Sequence, residues 1–139
     1  MTLHRFRNCT LIRNHALIVD DLWVRHGKII NPEEIFFLEK RQADVEYDCR
    51  GVLLAPGYID LQINGAFGHD FSSANEASEE MLRTVAKKLT SHGVTAFVPT
   101  IVSSDATTYK TVLPKYQRRA GSVEEGATIL GKAESFSVE

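Results

Sequence analysis

Paired histidines are missing from this sequence. His4, His15, His26, His69 and His92 never stand three or four residues apart, so no helix face or short loop offers the imidazole pair of a zinc motif. Cysteine is scarce as well. Cys9 and Cys49 lack metal-type spacing, and in a chain without a secretory signal they read as reduced thiols. The opening, Met1 to Asn14, does not read as such a signal, because Arg5, Arg7 and Arg13 interrupt its apolar residues. Nothing approaches the roughly 18 consecutive apolar residues of a membrane-spanning helix. An excess of one charge is lacking too: the formal net charge is −2, which gives neither nucleic acid nor a membrane surface anything to hold. The Asn8-Cys9-Thr10 sequon carries no weight without secretion. Gly65-Ala66-Phe67-Gly68 lacks both the Lys-Ser/Thr of a phosphate loop and the third glycine of a dinucleotide turn. The expectation is a cytoplasmic protein with no nucleic-acid or membrane partner.

What is present is ordinary globular material. Hydrophobic residues make up 43% and charged residues 24% of 139 positions, enough for one domain with a core. The first fifty residues read as all-β. Phe6 to Ile12, Ala16 to Val19, Leu22 to Val24 and Lys28 to Ile30 are strand-forming runs, separated by the turn signals Asn14-His15, Asp20-Asp21 and His26-Gly27. Their close spacing suggests a small sandwich or meander. Asn31-Pro32-Glu33-Glu34 reads as a helix start, with proline just inside and acids in the first turn. One or two turns are expected there. Val45 to Cys49 and Val52 to Leu54 read as two further strands around Arg50-Gly51.

The stretch from Leu54 to Phe71 organises the rest. Pro56-Gly57 breaks whatever precedes it, Tyr58 to Ile63 reads as a short buried strand, and Asn64 to Asp70 is a polar, glycine-rich loop. Asp60, Gln62 and Asn64 alternate, so they share one face. Either that face is solvated, or it lines a site at the strand's carboxyl end, where glycines let a ligand approach the backbone. His69, in the loop, either lines the same pocket or is solvated. Asp60 is expected to pair locally, and His92 to act as a cation at a helix end.

Beyond Asn64, helix and strand alternate. Ser73 or Asn75 can cap a helix reaching about Ser91, with Met81, Leu82, Val85, Ala86 and Leu89 on one face. Lys87 and Lys88 suit its end and Gly93 its stop. Val94 to Val98 is apolar without alternation, as in a parallel strand covered on both faces. Ser104 or Asp105 caps a second helix with Tyr109, Val112, Leu113 and Tyr116 inward, ended or kinked by Pro114. Arg118 to Gly126 is a polar connection, and Ala127 to Leu130 a third strand. Strand, helix, strand, helix, strand opens either a (β/α)8 barrel or a doubly wound sheet.

Pro56-Gly57-Tyr58-Ile59-Asp60 followed by a polar-x-polar pair resembles the first barrel strand of the amidohydrolase superfamily, where that pair is usually His-x-His and binds metal. Here the pair is Gln62-Ile63-Asn64. With Gly65, Gly68, Asp70-Phe71, Ser91-His92-Gly93-Val94-Thr95 and Pro99-Thr100, the chain closely resembles N-acetylglucosamine-6-phosphate deacetylases from about Phe6 to Gly131. The resemblance favours the barrel. It implies an α/β chain with a partial (β/α)8 TIM-type barrel, its first three strands and two helices, preceded by part of a small β-sandwich. The implied divisions are 1–54 for the sandwich segment, 55–131 for the barrel units and 132–139 for a divergent tail.

The resemblance also implies hydrolysis of N-acetylglucosamine 6-phosphate to glucosamine 6-phosphate and acetate, a step in amino-sugar recycling. One divalent, zinc-like ion activates water and an aspartate serves as base, then acid. The family's ligands are a glutamate in Leu-His-Leu-Glu-Gly-Pro-Phe after the third strand and two later histidines. After Gly131 this chain reads Lys132-Ala133-Glu134-Ser135-Phe136-Ser137-Val138-Glu139, and Glu134 has the wrong neighbours to take the ligand role. No catalytic residue, metal ligand or cofactor is therefore expected in this chain. Gln62, Asn64 and His69 are the site-lining candidates, and neutral amides are poor zinc ligands. The implied role is a truncated deacetylase chain, inactive alone. A fragment that binds and regulates a full-length subunit is the alternative, and a stand-alone module reusing the half-barrel is a third reading. Strands 58–63 and 127–130 are expected to be bare edges.

Overall fold

In the computed structural model, which describes residues 2–131, the chain divides into two compact units, one ending at Pro56 and one beginning at Gly57. The first is built on a single five-stranded sheet. Strand β1 (Leu3–Arg13) pairs antiparallel with β2 (Ala16–Arg25), and β2 with β3 (Lys28–Ile30). On the other side of β1 lie β4 (Val45–Asp48) and β5 (Leu53–Leu54), both parallel to it. The meander expectation covers only β1 to β3. No second sheet faces this one among residues 2–56, so the described part of the unit is one sheet with a helical turn.

Asn14 and His15, both in the left-handed region (φ 49 and 64), form the β1–β2 turn as a tight hairpin demands. The turn expected at Asp20-Asp21 is absent, because β2 runs straight through it. The irregularity sits instead in β1, where the register shifts between Phe6 and Cys9 and Asn8 takes φ 56. Asp21 stabilises that bulge: it accepts from the Asn8 N–H at 3.0 Å and from Arg5 Nε at 2.8 Å. Arg13 meets Asp20 at 2.7 Å. Two adjacent acids are tolerated in a strand when cross-strand cations answer them.

Asn31 caps the short helix α1 (Pro32–Glu34), accepting from the Glu33 N–H at 3.1 Å, and a π-helical turn, Ile35–Glu39, follows. That turn sets Ile35 against Leu3 and Trp23, the small core of this unit.

The second unit holds a parallel sheet in the order β10-β9-β6, formed by β6 (Tyr58–Ile63), β9 (Val94–Pro99) and β10 (Thr128–Ile129). A small hairpin, β7 (Gly65–Ala66) with β8 (His69–Asp70), follows β6. The connecting helices are α2 (Glu79–Thr90) and α3 (Ala106–Val112), the latter running into a 3-10 turn, Leu113–Lys115, that accommodates Pro114. Met81, Leu82, Val85, Ala86 and Leu89 bury the apolar face of α2 against Phe71, Phe97, Val112, Tyr116 and Ile129. The alternation of β6, α2, β9, α3 and β10 and the apolar face of α2 are as read from the sequence, while the β7–β8 hairpin falls in the stretch read as a loop.

Three details differ. The cap of α2 is Ser78, whose Oγ accepts from the Met81 N–H at 3.1 Å; residues before it form turns, with the Ser73 carbonyl accepting from the Ala77 N–H at 2.9 Å. Strand β6 is not buried, because it is the outer strand of the described sheet: Ile59 and Leu61 are 59% and 71% exposed. The outer edge of β10 is not bare, because Arg119 and Ile129 exchange both backbone hydrogen bonds, at 3.0 and 2.9 Å. Glu134 and the rest of 132–139 lie outside the described residues.

Candidate functional site at the carboxyl ends of β6 and β9

Parallel strands bring their carboxyl ends to one side, where α/β folds keep their sites. The β6 and β9 ends are laced together by Thr100, whose N–H donates to the Ile63 carbonyl at 3.0 Å. Thr100 is buried, and its hydroxyl donates to Asn64 Oδ1. A buried hydroxyl needs a partner, and here the partner is one of the site candidates. Sequence reasoning used Thr100 only as part of a motif. Its signal, a small polar residue directly after a mostly apolar parallel strand, does not say what it touches.

The loop after β6 folds back on Asn64, whose carbonyl accepts from the Phe71 N–H at 3.0 Å. At Gly65 (φ +154) a Cβ would fall 2.2 Å from the His69 carbonyl oxygen, so the hairpin closes only around glycine. Phe71 is buried and its carbonyl accepts from the Tyr116 hydroxyl at 2.7 Å. Burial holds that phenol well above its ordinary pKa, so it remains a donor. Ser72 Oγ accepts from the Val102 N–H at 2.8 Å, tying the loop after β6 to the loop after β9.

Gln62 is exposed, and its side-chain amide makes no hydrogen bond among the described residues. Its N–H donates to Asp60 Oδ1 at 3.1 Å, the local pairing expected of Asp60. That contact coincides with an irregular ladder between Asp60 and Ile63. His69 stands apart from this pair. Its Nδ1 is 3.8 Å from Glu76 Oε2, in a shallow depression of about 480 Å³ shared with Ser78, Glu80 and Thr84, which neither Gln62 nor Asn64 lines. His92 lies against Phe67, ring centroids 5.7 Å apart, with Lys88 Nζ 5.5 Å from the same ring.

The donors do not make a metal centre. Among the described residues, no three His, Cys, Asp or Glu side chains group closely enough to hold an ion. Asn64 Oδ1 is already taken by Thr100. The site as described therefore does not fit a divalent ion, and what it offers is a set of neutral hydrogen-bonding groups.

No protein-family model matches the chain. Curated proteins do. A protein of Bos taurus is 49% identical over 127 residues, covering 91% of this chain and 31% of the relative. One of Homo sapiens is 47% identical over the same extent, and one of Caenorhabditis elegans 46% over 132 residues, 93% of this chain and 31% of the relative. All three carry one name. The relatives of this chain are N-acetylglucosamine-6-phosphate deacetylases. The chain spans about a third of their length, the amino-terminal portion of the deacetylases. The crystal structure of the Pasteurella multocida deacetylase superposes with a TM-score of 0.59, over 82% of this chain and 29% of that one, at 24% identity. At that identity it shares the fold, a mixed α/β architecture with several sheets.

Proposed function

We propose that this chain is the opening segment of an N-acetylglucosamine-6-phosphate deacetylase. In the whole protein the reaction is hydrolysis of the acetamide of an amino-sugar phosphate, giving glucosamine 6-phosphate and acetate. The observation that carries the reading is 49% identity to a deacetylase over 91% of the chain. The parallel β10-β9-β6 sheet with its two connecting helices supports it. On this reading residues 55–131 are the first three strands and two helices of a (β/α)8 barrel, 1–54 contribute to a β-sandwich, and 132–139 form a tail. Gln62, Asn64 and His69 line the substrate side, although His69 sits in its own depression beside α2. Because Thr100 takes Asn64 Oδ1 as acceptor, the group Asn64 has left to offer a substrate oxygen is its amide N–H donor.

The reading assigns the ion and the proton-transferring carboxylate to other parts of the deacetylase, since the described residues present no fitting set. Residues 1–139 alone are accordingly expected to release no acetate from the substrate. The test is a chimera in which residues 1–131 replace the corresponding third of the human relative. Acetate release comparable to the parent is the expected result. A chimera that folds and binds its metal but releases no acetate overturns the proposal.

A further inference from the structure

Only two cysteines occur in the sequence, far apart along the chain, and the fold of the first unit brings them together. The parallel register of β1 and β4 sets Arg7 opposite Asp48, and the next residue, Cys49, donates its N–H to the Arg7 carbonyl at 2.9 Å. Cys49-Arg50-Gly51-Val52 then loops out as a tight turn, with Arg50 and Gly51 at φ 49 and 82 and the Val52 N–H donating to the Cys49 carbonyl at 2.8 Å. This excursion faces the Asn8 bulge. The Gly51 N–H donates to the Asn8 carbonyl at 2.7 Å, and the Thr10 N–H to the Val52 carbonyl at 3.0 Å. Cys9 thus lies in the β1 segment that these bonds hold against the excursion, with its thiol donating to the Phe6 carbonyl at 3.1 Å. Both are free thiols.

We propose that Cys9 and Cys49 are a dithiol oxidation site that closes to an intramolecular disulfide when a hydroperoxide is present. A disulfide bridges Cα atoms roughly 4.4–6.8 Å apart, and the bonds from the Cys49 N–H to the Arg7 carbonyl and from the Gly51 N–H to the Asn8 carbonyl hold the two cysteine-bearing segments side by side. Closure requires the Cys9 thiol to leave the Phe6 carbonyl and the Cys49–Val52 turn to adjust. The two thiols differ in access. Cys9 is fully buried, whereas Cys49 is partly exposed beside its turn. Burial first, and the neighbouring Cys49 second, push the Cys9 thiol up to about 11, so it stays protonated at neutral pH and leaves the first encounter to Cys49.

The chemistry balances in two steps. The Cys49 thiolate attacks one peroxide oxygen; the O–O bond breaks, the other oxygen leaves as water after protonation, and Cys49 becomes a sulfenic acid. The Cys9 sulfur then attacks the Cys49 sulfur, the S–O bond breaks, and the hydroxyl leaves with the Cys9 proton as a second water. Two thiols have lost two electrons, and one peroxide has become two waters. The product links β1 to the excursion between β4 and β5, which restricts the unfolded chain.

The test uses the full chain, reduced, freed of reductant and treated with hydrogen peroxide, then alkylated under denaturing conditions. The expected result is an intact mass short of two hydrogens, with no alkylation and a proteolytic peptide joining Cys9 to Cys49 that separates on reduction. The thermal midpoint should rise on oxidation and return with dithiothreitol. In Cys9→Ser, Cys49 should accumulate as a sulfenic acid that dimedone traps; in Cys49→Ser, Cys9 should stay unmodified over the same interval. Should either variant fail to fold, the cross-link map of the unsubstituted chain decides alone. Two alkylated thiols after peroxide, or disulfides found only between chains, overturn the proposal.

Discussion

At Thr100 the backbone joins β9 to β6 while the hydroxyl orients Asn64. Thr100→Val keeps the shape but leaves Asn64 Oδ1 without its donor. The expected cost is about 1–2 kcal/mol of stability, read as a lower urea midpoint, with Thr100→Ser restoring most of it. Equal midpoints for the valine and serine variants would show that the hydroxyl contact is idle. Gly65→Ala should be more severe, because a Cβ meets the His69 carbonyl oxygen at 2.2 Å and φ +154 disfavours any side chain. Near-UV circular dichroism should report the loosened loop around Phe71. At this scale the sequence was legible where a residue's role is local. Gln62 and Asn64 stood out as polar positions in an apolar strand, and Asp60 pairs with its own neighbourhood. Thr100 was not legible as a partner, since its contact with Asn64 crosses from one strand end to another.

Helix α2 shows which features of an element its sequence carries. The apolar positions of its buried face recur at helical spacing, and all five are buried. Its start was not legible: Ser73 and Asn75 are the caps its sequence suggests, whereas the chain turns through both and the helix is capped by Ser78. Ser78→Ala should therefore cost about 1 kcal/mol, while Ser73→Ala stays within about 0.5 kcal/mol; paired thermal melts check both. Strand β2 makes the converse point. Asp20 and Asp21 signal a turn by composition, yet Arg13, Arg5 and the Asn8 N–H hold them in a ladder. Carboxylates of the same sheet region give a pH dependence. Arg41 and the Leu3 N–H hold Asp44 below its ordinary value, Asn8 and the Arg50 N–H do so for Asp48, and Arg25 for Glu39. A depressed folded value means the contribution is complete above the unfolded pKa, near pH 4, and fades as pH falls through the folded values. Far-UV circular dichroism from pH 7 downward should show stability lost only below about pH 4, and Asp48→Asn should flatten that loss. A chain whose stability is unchanged down to pH 2.5 would contradict it.

For the molecule as a whole, the decisive contrast is between the composition of β6 and its surroundings. Its sequence reads as a strand buried among neighbours, but burial belongs to what packs on a strand, and within residues 2–131 β6 has β9 on one side only. Tyr58, Ile59 and Leu61 are 73%, 59% and 71% exposed, and by alternation Ile59 and Leu61 share a face. The outer strand also presents unpaired backbone groups, which invite pairing with another chain. On the β10 side the Arg119 bridge occupies the edge, so β6 is the edge of this sheet left for association. The 139-residue chain is therefore expected to self-associate through β6, seen as a sedimentation coefficient that climbs with concentration. Leu61→Lys places a charge on the exposed face without touching the buried cluster around Phe97. It should give a monomer with unchanged helical signal, because the solvent-facing position loses no packing. A chain that sediments as a monomer at about 100 μM, a concentration in the range where exposed strand edges aggregate, would remove the argument. So would a Leu61→Lys variant that associates as strongly as the original, since the contact would then lie on another surface.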